Sequence, residues 1–310
     1  MSEKNVIKNK IGIVGMGPAG ITAAIYLRRY GFDPVCFEKN KIGGKINVTH
    51  AIENYPGFIG SIQDLVDTFQ AQMEKYKVNL VNEQVESISR EEDGTFSVVT
   101  DANFYNFDAV LLATGLKERS YEVPNQKSYN GRGISRCATC DGPFFRNRDV
   151  AVLGGGNTAL EEAIYLSGVV KHVYLIHRRN EFRGDQTLVD EFKALPNTTI
   201  LTPYVIKDSK GENKIQHVTL ENTQDQSLYE LDIDGLFVYL GSSPVTEFVK
   251  IPDLFNDKGF IDANTVMETK IPGFFVAGDC RETPLRQIVT ATSDGALASE
   301  SIRKYVKSKK

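Results

Sequence analysis

Two cysteines three positions apart, Cys137-Ala-Thr-Cys140, followed at once by Asp141, are the residues of this sequence whose types and spacing best suit chemistry. Such a C-x-x-C pair can close a small ring on oxidation, and a thiolate there is the nucleophile for disulfide exchange. The other common use of the spacing is half of a structural zinc site, which needs a second pair or nearby histidines. Cys36 and Cys280 are single and distant, and His172 and His177 lie beyond the usual ligand spacing, so no metal is expected. Asp141 could shuttle a proton as a thiol forms or leaves. A helix or turn cap is its alternative role, and the neighbouring cysteines favour acid-base work. Four cysteines in 310 residues are far too few for a disulfide-stapled secreted scaffold, which points to a reducing compartment, the cytoplasm.

The elements that must position this pair show one pattern twice. Residues 11 to 38 run strand (IGIVG), glycine turn (Gly15-x-Gly17-x-x-Gly20), amphipathic helix (ITAAIYLRRYG) and strand (PVCFE) ending at Glu38. Residues 149 to 179 repeat it as strand (DVAVLGG), turn (Gly154-x-Gly156-x-x-Ala159), helix (LEEAIYLSGVV) and strand (HVYLIHRR). A lone GxGxxG is a weak signal. Here each copy sits between a strand and a helix, and each second strand ends at the same register, which is the context a dinucleotide fingerprint requires. The first glycine permits the tight turn, the second lets backbone approach a pyrophosphate, and the third, or Ala159, lets helix and strand pack closely.

The strand end beyond each helix separates the two ligands. Glu38 lies 18 residues after Gly20, where a carboxylate can accept hydrogen bonds from a ribose 2'-OH and repels a 2'-phosphate. Eighteen residues after Ala159 stands His177, followed by Arg178 and Arg179, with Arg183 one turn on. No acid holds the ribose position there, and guanidinium forks match the charge and shape of a 2'-phosphate. The second site is therefore expected to take NADPH, a solvated strand end being the alternative. The first is then the FAD site. Asp279, at the end of FFVAGD, is placed to hydrogen-bond a ribityl or pyrophosphate group, and Arg286-Gln287-Ile288 opens a helix whose N-terminus could face the flavin.

Between the copies, Ser97 to Thr100 and Ala109 to Thr114 read as strands; further strands are expected around His217 to Leu220 and Gly235 to Leu240, and a last helix near Leu285 carrying Ala291 to Ile302. The expected fold is α/β, with two Rossmann-like dinucleotide-binding domains, the second inserted into the first. Residues 1–116 and 247–310 form the FAD domain, and residues 117–246 form the NADPH domain with the C-x-x-C. A net charge of -4 gives no broad basic face for nucleic acid. The basic tail (Arg303, Lys304, Lys307, Lys309, Lys310) is what the C-terminus of a final helix favours. Lys4, Lys8 and Lys10 before the apolar run Ile11 to Leu27 resemble a secretory signal, but the phosphate-loop glycines within it argue otherwise. No other stretch reaches the length of a membrane span.

With these pieces in hand, the sequence closely resembles the bacterial low-molecular-weight thioredoxin reductases. GMGPAG at 15 to 20, IENYPG at 52 to 57, ATG at 113 to 115, CATCDG at 137 to 142, GGGNTALEEA at 154 to 163, HRRNEFR at 177 to 183, and AGDC with LRQIVTATSDGALA at 277 to 298 follow the family's order over nearly the whole chain. The resemblance implies FAD contacts from Gly15, Gly17, Gly20, Glu38, Gly43, Gly44, Lys45, Asn54, Thr114, Gly115, Asp279, Arg286, Gln287 and Ile288. On the NADPH side it implies Gly154, Gly156, Asn157, Thr158, His177, Arg178, Arg179 and Arg183. It further implies that Cys140 is the flavin-side sulfur, that Cys137 attacks a thioredoxin or thioredoxin-like protein, and that Asp141 is the acid-base residue. A homodimer and a rotation of the NADPH domain belong to the same implication. Lys45 stands where many relatives have glutamine, Arg136 where an aromatic residue is common, and Asn180 and Gly184 soften the usual HRRDxFRA pattern.

Three rival readings fall away on residues. The flavoprotein partner of a peroxide-reducing system carries an extra thioredoxin-like region with its own C-x-x-C, for which the residues before Lys10 are too few. Ferredoxin-NADP reductases of similar shape lack the active cysteines. A nucleotide-sensing binding protein has no use for Cys137, Cys140 and Asp141 together. Cys36 and Cys280 read as packing residues.

Overall fold

The computed structural model describes residues 6–48, 52, 54–118, 123–257 and 259–309; Lys4, Glu53 and Lys310 of the patterns above lie outside them. The chain divides into two compact units, Met1–Lys117 with Ser243–Lys310, and Glu118–Ser242.

The first unit opens with β1 (Val6–Val14), the helix α1 (Pro18–Arg29) and β2 (Val35–Phe37). Pro18 at the start of α1 takes a position where its missing N–H is an orphan anyway, so the helix begins three residues before the apolar run that announces it. The helix α2 (Ile62–Lys75) is capped by Ser61, whose hydroxyl accepts from Asp64 N–H while the Asp64 carboxylate accepts from Ser61 N–H. Then come β3 (Asn79–Val81), β4 (Val85–Arg90), β5 (Phe96–Thr100), β6 (Phe104–Leu112) and β7 (Leu116–Glu118). The main sheet has the order β3-β2-β1-β6-β5-β4, parallel from β3 to β6 and antiparallel through the meander β4-β5-β6. Its central strands are buried on both faces, which is why they read as continuous apolar runs rather than alternating ones.

The second unit contains the short helix α3 (Gln126–Tyr129), β8 (Ile134–Ser135), α4 (Ala138–Asp141), β9 (Asp149–Gly154), α5 (Asn157–Ser167), β10 (His172–Ile176), α6 (Gln186–Ala194), β11 (Thr198–Leu201), β12 (Tyr204–Lys210), β13 (His217–Asn222), β14 (Leu228–Asp232) and β15 (Gly235–Tyr239). A parallel sheet of order β11-β10-β9-β15-β8 forms its centre. On β9 the side chains alternate as a strand requires: Val150 and Val152 pack with Leu160, Leu166 and Phe192 of the helices, while Ala151 and Leu153 pack with Val218, Leu220 and Leu231 of the antiparallel sheet β12-β13-β14.

Returning to the first unit, β16 (Ser242–Pro244) pairs with β7, β17 (Phe274–Val276) joins the main sheet parallel to β6, and α7 (Ile288–Ser308) packs on α1. That helix contact is close because Gly295 has no side chain: a Cβ there would stand 2.2 Å from Ala19 O. Among the described residues no helix is long and apolar enough to cross a membrane.

Candidate active site

Gly15 leaves β1 with φ +98°, a left-handed conformation, and a Cβ there would strike Ala113 O at 2.6 Å. The segment Ala113, Thr114 and Gly115 therefore lies directly beneath the turn, held by Thr114 Oγ1 donating to Val245 O at 2.7 Å and Val245 N–H donating to Gly115 O at 3.1 Å. Gly20 backs onto the turn as well, its Cβ position 2.0 Å from Gly15 O. Gly17 is different. A Cβ there would meet nothing within 4 Å, and it caps α1 with its side-chain position facing open space. Across that space, Gly44 at φ +57° would bring a Cβ within 3.4 Å of Gly17 Cα, and Gly43 N–H ties the two segments by donating to Met16 O at 2.7 Å. Two glycines facing each other beside a helix N-terminus make the backbone cradle that a pyrophosphate fits.

Glu38, at the end of β2, closes this turn. Its Oε2 accepts Met16 N–H at 2.9 Å and its Oε1 accepts Asn40 N–H at 3.0 Å, leaving further lone pairs on both oxygens for hydroxyl donors. At the other side of the unit's glycine turn, burial raises the Asp279 carboxyl above its ordinary pKa, opposed by the charges of Lys45 and Arg286. Arg286 also lies over the Phe260 ring, 5.0 Å from its centroid. Asn54 Nδ2 donates to Gln287 Oε1 at 3.1 Å, so two residues 233 positions apart meet at the start of α7; Ile288 packs into the core behind them. A half-buried carboxylate beside two cations, and an open helix start, fit the polar arm of FAD.

In the second unit the same three steps recur with different contacts. A Cβ at Gly154 would stand 2.6 Å from Ala159 Cβ and from Tyr239 O; at Gly156 it would meet nothing within 4 Å. Gly155 lies on the His177 ring, its Cβ position 2.3 Å away. His177 itself is only 7% exposed, stacks on Phe182 and places Nε2 3.2 Å from Glu181 O. Burial, and then the charges of Arg178, Arg183 and Arg179, lower its pKa, while the Glu181 hydrogen bond opposes them. The imidazole is thus the neutral floor of the turn, and the three arginines surround it. Arg178, Arg179 and Arg183 are exposed, and among the described residues no carboxylate pairs with them. Arg183 N–H and Gly184 N–H both donate to Gly155 O, and Asn157 exchanges hydrogen bonds with Asp185, Nδ2 to Oδ2 at 2.9 Å and Asp185 N–H to Oδ1 at 2.8 Å. These contacts fasten the arginine loop to the turn, with Thr158 exposed on the first turn of α5. Three guanidinium groups paired with no carboxylate among the described residues, on the strand end and loop fastened to this open turn, fit a 2'-phosphorylated dinucleotide.

The redox turn is in the same unit. Cys137 and Cys140 are joined by a disulfide, and Cys137 caps α4. Cys140 N–H donates to Cys137 Sγ at 3.2 Å. Asp141 is 6% exposed; its Oδ2 accepts the Ser135 hydroxyl at 2.6 Å, and its Oδ1 is buried without a hydrogen-bond partner. The Ser135 hydroxyl in turn accepts Cys137 N–H at 3.1 Å. Ser135 therefore ties the acid to the first cysteine. The half-buried Arg136 has its own pKa lowered by desolvation. The two other cysteines are fully buried, and burial pushes the Cys280 thiol up to about 11 and the Cys36 thiol above its usual range, which makes both inert packing groups.

Residues 9–295 match the pyridine nucleotide-disulphide oxidoreductase family. The chain belongs to that family. It is 36% identical over 313 residues to the thioredoxin reductase of Mycoplasma pneumoniae, covering 97% of this chain and 96% of that protein. Identity to the thioredoxin reductase of Bacillus subtilis is 36% over 312 residues, covering 99% and 96%. The crystal structure of the thioredoxin reductase from Streptococcus pyogenes is 37% identical and aligns with a TM-score of 0.92 over 97% of this chain and 99% of that one.

Within this pyridine nucleotide-disulphide oxidoreductase, sequence reasoning missed two supporting sets. Asp294 on α7 is buried; it accepts Gly278 N–H at 3.0 Å and a two-pronged bond from Arg281, at 2.7 and 2.9 Å. It locks the turn that carries Asp279. A charged residue on a helix stripe otherwise made of Ala291, Gly295 and Ala298 was the signal available. Ser135 and Tyr239, which hold the first two amides of the redox turn, gave no such signal, because a serine and a tyrosine at strand ends are ordinary.

Proposed function

We propose that the chain is an NADPH-dependent thioredoxin-disulfide reductase that holds FAD in its first unit and NADPH in its second. The observation that carries this reading is the Cys137–Cys140 disulfide, tied through Ser135 to the buried Asp141, in the same unit as an open glycine turn with three arginines on the strand end and loop fastened to it. Gly17, Gly44, Glu38, Asp279 and the start of α7 would hold FAD, which when bound supplies a two-electron relay between a reduced nicotinamide and a disulfide. Arg178, Arg179 and Arg183 would hold the 2'-phosphate of NADPH, and Gly156 its pyrophosphate. His177 acts from below, keeping the Gly155 peptide in place.

Two electrons and two protons convert the disulfide to thiols. Cys140 is the flavin-side sulfur on the family resemblance, and Cys137 the attacking one. The Cys137 thiol gives its proton to Asp141 as its sulfur forms a bond to one sulfur of an oxidised thioredoxin; the thioredoxin S–S bond breaks, and the departing thiolate takes that proton back from Asp141. The Cys140 thiol then attacks Cys137, re-forming the internal disulfide while its proton goes to the second thioredoxin sulfur as that sulfur leaves, so that one disulfide has been exchanged for another. Asp141 suits its task because it is buried beside the cysteines, with the Ser135 hydroxyl on Oδ2 and Oδ1 left without a hydrogen-bond partner. The resemblance also supports a homodimer working in the cytoplasm.

An anaerobic absorbance titration tests the path. NADPH should bleach the flavin, the protein should take up more than one pair of reducing equivalents per flavin, and oxidised thioredoxin should restore the yellow colour. A yellow protein that ignores NADPH would leave the arginine cluster without its assigned role.

A further inference from the structure

The second amide of the redox turn points to a residue outside the machinery just described. Ala138 is fully buried, and its N–H donates to Tyr239 Oη at 2.7 Å. Tyr239 ends β15, far along the chain from the cysteines, and its hydroxyl lies beside the carboxyl of Glu162 on α5. Glu162 keeps one oxygen, Oε2, buried without a hydrogen-bond partner, as Asp141 does with Oδ1. Burial raises the pKa of both the Tyr239 phenol and the Glu162 carboxyl.

The arrangement is selective. A phenol oxygen that accepts from Ala138 must aim its own proton elsewhere, and the Glu162 carboxyl is the acceptor beside it. With that rotor fixed, the first helical amide of the turn is fixed too, and so are the positions of Cys137 and Asp141 on either side of it. Ser135 anchors the turn from Cys137 N–H; Tyr239 anchors it from Ala138 N–H. Tyr239 also touches the nucleotide turn, since its carbonyl oxygen limits Gly154.

We infer that Tyr239, oriented by Glu162, is a positioning residue for the Cys137–Cys140 pair, setting the geometry in which Cys137 and Asp141 meet an incoming disulfide. This rests on the proposed thiol exchange but not on thioredoxin as its substrate. A 1 Å misplacement of reacting groups costs up to about a hundredfold, and loss of one anchor of two should cost roughly tenfold.

Tyr239→Phe, which removes only the hydroxyl, is therefore compared with wild type for turnover with thioredoxin and with the small chromogenic disulfide dithiobis(nitrobenzoate). In each sample turnover is divided by the rate at which NADPH bleaches the flavin, so that a general loss of folded protein cancels. The ratio should fall roughly tenfold in kcat with both acceptors, with KM for thioredoxin changed less than about twofold. Glu162→Gln, which keeps an acceptor for the phenol but carries no exchangeable acid proton, should retain the ratio within about threefold, whereas Glu162→Leu should lose it. An unchanged ratio in Tyr239→Phe overturns the inference, and so does a loss in Glu162→Gln as large as in Tyr239→Phe, which would assign the pair to proton transfer. Wild-type protein that reduces the small disulfide but not thioredoxin would instead remove the proposed substrate and leave this test standing.

Discussion

The two glycine turns of this chain differ least where the fingerprint is read and most where it ends. In both, the first glycine is pressed against neighbouring backbone, and the second, Gly17 or Gly156, faces open space. At the end of the next strand the first turn places Glu38, whose carboxylate grips the turn's own Met16 amide and keeps lone pairs to spare. The second places a buried neutral His177 and then three exposed cations. The support of the turn and the choice of ligand are thus one residue's work in the first unit and are divided among four in the second. Mutations at the two strand ends should accordingly have unlike consequences.

The largest effect is expected where the first unit concentrates its support. Asp294→Ala would leave Arg281 and Gly278 N–H without their partner inside the core, and breaking a buried pair from one side costs about 3–5 kcal/mol. We expect a lower thermal midpoint and FAD lost on gel filtration, with Asp294→Asn partly restoring both. The two turns themselves give a sharper contrast. Gly20→Ala puts a methyl 2.0 Å from Gly15 O and should unfold the turn, whereas Gly17→Ala and Gly156→Ala meet nothing in the protein. Those two should keep the thermal midpoint of cofactor-free protein within about 2 °C while weakening FAD and NADPH respectively. Equal destabilisation by Gly17→Ala and Gly20→Ala would refute the reading of an open cradle.

Next in size is the division of labour at the second strand end. Arg178→Ala with Arg179→Ala should raise KM for NADPH by about 100-fold or more, as loss of two charged hydrogen bonds worth about 1.5–3 kcal/mol each would, and KM for NADH less than about threefold. Equal effects on both nucleotides would erase the distinction between the turns.

The same contrast explains how much of the fold and site was legible in the sequence. Gly15, Gly17, Gly154 and Gly156 could be read from spacing because a backbone turn demands glycine at fixed offsets, and Glu38 or Arg178 because each ends a strand at a fixed register. Helix starts were less legible: α1 and α5 begin at Pro18 and Asn157, before the apolar runs at Ile21 and Leu160, since their first turns face a ligand site and not the core. The sheet β12-β13-β14 was legible only in its middle strand, because β14 is exposed on most of its length and carries little apolar pattern. His177 shows the limit most clearly. Its position in the chain marks the nucleotide site, but that its ring lies under Gly155 depends on packing against Phe182, which no spacing rule encodes.

The smallest predicted effect again separates the units, at the corners of their antiparallel strands. In the first, the Glu83 carboxylate gathers Thr100 Oγ1 at 2.6 Å, Asn103 Nδ2 at 2.8 Å and Tyr105 Oη at 3.1 Å, and burial and Glu83 push the Tyr105 phenol up to about 12. None of these donors titrates between pH 6 and 9. In the second, His217 bridges β13 to β14, with Nδ1 2.7 Å from Asp232 and Nε2 against Glu230. Hydrogen bonds to Asp232 and then Glu230 raise its pKa above 6.5, burial opposing them slightly. A group whose folded pKa is raised contributes fully below its unfolded pKa and loses that contribution as pH rises through the folded value. Hydrogen-exchange protection of β13 and β14, corrected for intrinsic rates, should therefore be higher at pH 6 than at pH 8.5, while that of β5 and β6 stays level. His217→Gln should flatten the difference, and because the pair is exposed, salt should shrink it as well. A pH response shared by both corners would show instead that the whole fold is titrating, and that His217 has no local part in it.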